Sequence, residues 1–359
     1  MTHNANLVCE NRLRYASVLH TFARHVLHKV RSCECSGRTQ AQSCIAAGRR
    51  PRNAQPSQHD RGHDRGLLSY QWAPVGGHSS GNACGAKSGQ EQVVNDRQQS
   101  LLTDLGFRFG VNGTHAARTM MLDDLRMLLE HAEPGISRSD FARLIIDDNV
   151  LGKPTKKARE LAYRHLSNLY ALDPENPIFR VMRQLWPLNP SAQPLLALGV
   201  ALARDPLLKM SVPFIQSFQL GQKVDRELIE QFIASSCPDR FSAASLKSFA
   251  QNLGGTWTAA GYLKGHRNKQ RAKPDVTPEA TVLFLFLGHL EGKSGQRVLG
   301  SDWIKLLELN PDEVMTLATS ASHKGLLVFM AAGGVVEVRF PDFLNAEEER
   351  KRNEVVHVI

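Results

Sequence analysis

The chain has 359 residues, long enough for two or three domains, and a formal net charge of +9 at pH 7. Its basicity is uneven: residues 1–99 hold 13 Lys/Arg against 6 Asp/Glu, and residues 100–359 hold 31 against 29, so a phosphate-binding site in the longer part must rest on local clusters. Its longest apolar run, Ala280–Gly288, is about half of the roughly 20 residues a membrane-crossing helix needs, and Met1–Arg12 lacks the apolar centre of a signal peptide, which points to a soluble, reducing, cytoplasmic setting.

Residues 1–99 read as a low-complexity basic leader, either disordered or lying upstream of a native start near residues 93–101. Tyr15–Val30 could form one amphipathic helix, and the remainder has no helical or strand period. Cys33-x-Cys35 precedes Cys44, and His59-Asp60-Arg61-Gly62 repeats as His63-Asp64-Arg65-Gly66. A zinc site usually needs a second cysteine pair at a defined separation, and there is none.

From Leu101 the pattern becomes helical. The spacing predicts a helix over His115–His131, then a break at Pro134-Gly135. Ser137 with Asp140 three residues on predicts a capping box, and Thr155 a cap for Lys156–Leu172. Further helices are predicted at Pro194–Ala203, Pro206–Phe218, Asp225–Ile233, Ser242–Ala260 and Pro278–Leu290. Near the end, Trp303–Glu308 predicts a helix, Asn310-Pro311 a cap for the helix through Ser322, and Gly333-Gly334 a hairpin turn between two apolar strands. Helix, turn, helix and hairpin is the layout of a winged helix. The predicted fold is therefore mainly α, a multi-helix protein with helix-turn-helix or winged-helix units and a C-terminal β-hairpin. Its predicted divisions are 1–99, a helical domain at 100–220, a winged-helix-like domain at 221–345 and a charged tail at 346–359.

Two clusters are candidates for DNA binding. Lys153, Lys156, Lys157 and Arg159 open a helix whose dipole they oppose, with Arg164 and His165 further along, so an anionic partner would suit that end. The loop Gly261–Pro274 carries Lys264, Arg267, Lys269, Arg271 and Lys273 with no acid, and could track a phosphate backbone. A solvated surface helix and a plain basic loop are the alternatives. The phosphate loop, dinucleotide fingerprint, zinc-protease motif and nucleophile elbow are all missing, so no catalytic, cofactor or metal residue is assigned. His115, His131, His165, His289 and His323 read as helix-surface or capping residues, and Cys237 as a small apolar filler. Asn252 and Arg240 could reach bases or phosphates.

Three stretches carry a family resemblance: Gly110–Leu129, Asn149–Arg159 running into Arg164–Leu169, and Phe241–Leu263 followed by the distal helix and hairpin. Over residues 105–343 their order resembles the BrxA family of BREX phage-defence proteins, with a longer segment around Pro174–Pro194. The resemblance implies a compact, winged-helix-containing protein that binds double-stranded DNA and works with other BREX-system proteins. The function expected is thus a non-enzymatic, largely sequence-independent DNA-binding component of a phage-defence system. A protein-interaction scaffold for other defence subunits, using apolar hairpin residues such as Phe340 and Phe343, is the alternative. A transcriptional regulator ranks third, because the candidate reading helix Pro311–Ser322 opens with two acids and carries no Arg or Lys.

Overall fold

A helix that is apolar on every side has no stable place except the interior, and Pro278–Leu290 is such a helix. The computed structural model describes residues 89–358. The helix expected at Tyr15–Val30, the cysteines Cys33, Cys35 and Cys44 and the repeated His-Asp-Arg-Gly lie outside the described residues. The protein is mainly helical, with two small antiparallel strand pairs among the described residues.

The first half holds α1 (Gly89–Asp104), a 3-10 turn (Thr114–Ala116), α2 (Leu122–His131), α3 (Arg138–Ile146), α4 (Lys156–Tyr170), α5 (Pro177–Leu185), α6 (Gln193–Arg204), α7 (Pro206–Met210) and α8 (Val212–Gln216). The second half holds α9 (Arg226–Ser236), α10 (Ala243–Ala259), β1 (Leu263–Lys264), β2 (Gln270–Arg271), α11 (Pro278–Leu290), α12 (Gln296–Leu299), α13 (Asp302–Leu306), α14 (Pro311–His323), β3 (Val328–Ala332), β4 (Val335–Arg339) and α15 (Ala346–Val358).

α11 is the centre. From Glu279 to Leu290 only His289 escapes full burial, and α5, α6, α12, α13 and α14 pack around it. Each of its fully buried Leu and Phe side chains contributes about 1.5–3 kcal/mol relative to exposure. Because α5 and α6 share this core with α13 and α14, no division falls at the expected 220/221, and the described residues belong to one unit. The long segment around Pro174–Pro194 contains α5, whose Ile178, Phe179, Val181, Met182 and Leu185 are core residues.

The tail expected at 346–359 is also structured. α15 packs on α1, with Lys351 reaching Asp104 at 3.3 Å and Arg180 reaching Glu348 at 2.6 Å. Val355 is fully buried, and Arg352 donates to the carbonyls of His289 and Lys293. The expected boundary at 99/100 falls inside α1.

The caps are where the side chains place them. The Ser137–Asp140 capping box is present, the Thr155 hydroxyl accepts from the Ala158 N–H at 3.1 Å, and Asn310 and Glu313 cap each other at 2.8 Å. The terminal hairpin pairs Val328 with Arg339 through Ala332 with Val335. Gly333 (φ 58°) and Gly334 (φ 80°) supply the two positive φ angles that such a two-residue turn needs. The strands rest on α14 through a bond from the Phe329 N–H to the Ser322 hydroxyl. Phe340 and Phe343 close the seam against Phe286, at ring distances of 5.5 and 5.3 Å.

Three predicted helices differ. Pro206–Phe218 is broken at Ser211 into α7 and α8. Trp303–Glu308 shortens to α13, because Glu308 takes a left-handed conformation (φ 56°) as its carboxylate meets Arg271. His115–His131 keeps only its second half as α2: Met121 is left-handed (φ 52°), and the Met120 N–H donates to the Thr256 hydroxyl at 2.9 Å. No described helix is long and apolar enough to cross a membrane.

Candidate nucleic-acid interface

The nine predicted cations separate by burial and by pairing. In the loop after α10, Lys264 and Arg267 are exposed and make no ion pair among the described residues. Lys269 folds back along α10, its ammonium on the Thr258 hydroxyl at 2.6 Å, and burial lowers its pKa. Lys273 is paired with Glu313 at 3.4 Å. Arg271, expected to face phosphate, is instead buried: its guanidinium donates to the carbonyls of Ile215, Tyr262 and Ala272 and pairs with Glu308. The loop folds into the short β1–β2 ladder, Leu263 opposite Arg271 and Lys264 opposite Gln270. Strand alternation carries Arg271 inward and leaves Lys264 outward, so Arg271 anchors the loop rather than presenting charge.

The α4 cluster divides the same way. Lys156 and Lys157 are exposed and unpaired among the described residues. Lys153 is tied to Asp124 at 2.7 Å. Arg159 donates to the Ile146 carbonyl at 2.6 Å, satisfying the end of α3. The outward-facing cations are therefore Lys156, Lys157, Lys264 and Arg267.

Behind both clusters, a buried polar network braces the fold. His115 is fully buried. Its Nδ1 lies 2.9 Å from Asp205 Oδ2 and its Nε2 lies 3.0 Å from the Thr256 hydroxyl. Asp205 also accepts from the His115, Leu207 and Leu208 backbone N–H groups. Burial opposes ionisation of Asp205, but the His115 imidazole beside it and these donors hold its carboxyl below the usual range. Gly113 is required here, since a Cβ on it would lie 2.0 Å from Asp205 Oδ1. Asn252 donates to the His115 carbonyl, and Arg240 to the Val111 carbonyl and the Asn112 side chain. These two, expected as base or phosphate contacts, are occupied in bracing the segment 111–116. His115, expected on a helix surface, is the centre of the brace.

That brace fixes one wall of a cleft of about 710 Å³ between the segment 118–126, α4 and α10. Its floor is apolar or small, from Met120, Met121, Leu161, Ala162, Gly255 and Ala259. On one rim the charges are paired: Arg126 with Asp123 at 3.3 Å and Lys153 with Asp124. On the other, Arg118 is exposed and bonds only to its neighbour's carbonyl, Ala117, among the described residues. Arg118 and Arg164 both bear on His165, whose pKa falls to about 4 through burial first and then these two charges. Nothing in the local sequence marks Arg118; its position depends on the break between His115 and Leu122.

Comparison with known proteins adds no relative: no protein-family model matches the chain, and no curated protein matches it. Among the described residues no three His, Cys, Asp or Glu side chains are grouped to hold a metal.

Proposed function

We propose that the protein is a non-enzymatic component that binds double-stranded DNA through its phosphate backbone, with little sequence preference, in a BREX-type phage-defence system, as its resemblance to the BrxA family implies. The observation that carries the binding half of this proposal is the separation of cations by burial and pairing. Lys156, Lys157, Lys264 and Arg267 stay in solvent without acidic partners among the described residues, while neighbouring cations are consumed by structure. Exposed, unpaired cations on rigidly anchored elements suit phosphate, which needs charge without base-specific geometry. α14, the candidate reading helix, opens with Asp312 and Glu313, which disfavours base readout as the main activity.

The test is charge reversal in the full chain. Lys156→Glu, Lys157→Glu, Lys264→Glu and Arg267→Glu together should weaken binding to a labelled random duplex more than tenfold, with an unchanged melting temperature. Unchanged affinity would remove the proposal.

A second proposal, a scaffold that docks other defence subunits, is favoured by the hairpin. Phe340 and Phe343, expected to face partners, are buried against Phe286. Met330 and Val335 are the exposed ones, at 53% and 71%. Co-purification of candidate subunits, lost on Met330→Asp and Val335→Asp with DNA affinity intact, would favour this role.

A further inference from the structure

We infer that the cleft between the segment 118–126, α4 and α10 binds a nucleotide, the base lying on the apolar floor and the phosphate on Arg118. The inference does not rest on duplex binding, because Arg118 does not belong to the outer set of four cations.

Three observations meet in this cleft. Its volume, about 710 Å³, is that of a small-molecule site, and such sites combine an apolar lining with a few convergent polar groups. Its floor is smooth where a flat ring would lie: Gly255 and Ala259 come from one helix and Ala158 and Ala162 from the facing one. Finally, its charge is one-sided. Asp123 and Asp124 are paired with Arg126 and Lys153, whereas Arg118, which also lines the cleft, is exposed and has no ion pair among the described residues. An arginine on the rim with no acidic partner is an uncompensated positive charge, which an anion would relieve. A guanidinium binds phosphate in a bidentate fashion that a lysine does not offer. Met121 in the cleft wall is held left-handed at φ 52°, a conformation that non-glycine residues adopt at a cost and that concentrates at functional sites.

The shared chemistry has two sources, a free mononucleotide or an unpaired nucleotide of a DNA strand. The experiment titrates the full chain calorimetrically with AMP, adenosine and inorganic phosphate, and then competes bound AMP with an oligo-dA strand. AMP should bind at least tenfold more tightly than adenosine or phosphate, since it alone fills both halves. Arg118→Glu should reduce AMP to the adenosine level, and Ala259→Phe, which plugs the floor from an exposed position, should block AMP while leaving the melting temperature unchanged. In the complex, the His165 imidazole signal should titrate at a higher pH than in the free protein. Displacement of AMP by the strand identifies the strand nucleotide as the occupant, and no displacement identifies the free nucleotide. AMP and the strand both failing to bind, AMP binding no better than phosphate, or AMP binding indifferent to Ala259→Phe would each overturn the inference. The four-cation variant that tests duplex binding retains this cleft, so the two proposals fail separately.

Discussion

At the scale of single residues, stability hangs on groups removed from water and then fully bonded. Thr256 accepts from the Met120 N–H and shares a bond with His115. Thr256→Val keeps the shape and strips both bonds, leaving a buried N–H and an imidazole nitrogen unmet. The expected loss is about 1–3 kcal/mol in urea unfolding, and a loss below a few tenths would remove the network from the account. Two histidines give the pH dependence. Burial first and then Arg352 push His289 down to about 3, and burial first and then Arg118 and Arg164 push His165 down to about 4. Both stay neutral in the fold, while the unfolded chain takes up protons below the ordinary value of about 6.5. Stability from these groups is therefore complete above pH 6.5 and lost as pH falls toward 4 and then 3. The slope is at most about 1.4 kcal/mol per pH unit for each, lessened by partial solvent exposure. Thermal unfolding from pH 7 to pH 5 should show the decline, and His289→Gln should make it shallower. Equal slopes would contradict the assignment.

At the scale of elements, anchored and presenting parts separate within one loop. Arg271→Ala should cost about 3 kcal/mol or more, because it leaves Glu308 and three carbonyls without their donor. Lys264→Ala, on the facing strand end, should leave the melting temperature within a degree or so. Calorimetry on the two variants checks the contrast, and equal effects would mean that β1–β2 does not form. The same contrast explains what the sequence could show. Caps are local: Ser137 with Asp140, Thr155, and Asn310 with Glu313 need only neighbours three residues away. The Gly333-Gly334 turn is equally local, and all of these were legible. The inward turn of Arg271 depends on Ile215 and Glu308, residues far along the chain, and no count of charges in Gly261–Pro274 reveals it. His115 breaks its predicted helix for the same reason, since its partners Asp205 and Thr256 lie 90 and 141 residues away.

At the scale of the whole molecule, the sequence showed the apolar run Ala280–Gly288 as too short for a membrane span and a helix at Pro278–Leu290. It did not show that this helix is the one around which both expected domains merge. Composition marks burial, but which helices surround α11 is decided by packing between distant parts. α15 shows the limit most clearly: a segment as charged as AEEERKRNEVVHV reads as a tail, yet Val355 is fully buried and Glu348 and Arg352 turn inward to partners on α5 and around α11. Removing residues 346–359 should therefore lower the melting temperature by several degrees, while an unstructured tail would be lost without effect.

The central claim is that the four exposed cations, and not the bulk charge of residues 1–99, hold duplex DNA. The most direct test is the salt dependence of duplex affinity in the full chain and in the chain with all four reversed to glutamate. Each phosphate contact contributes about 0.9 to the slope of log affinity against log salt. Reversal should make the slope shallower by about three units or more. Equal slopes would show that these cations touch no phosphate and would contradict the account.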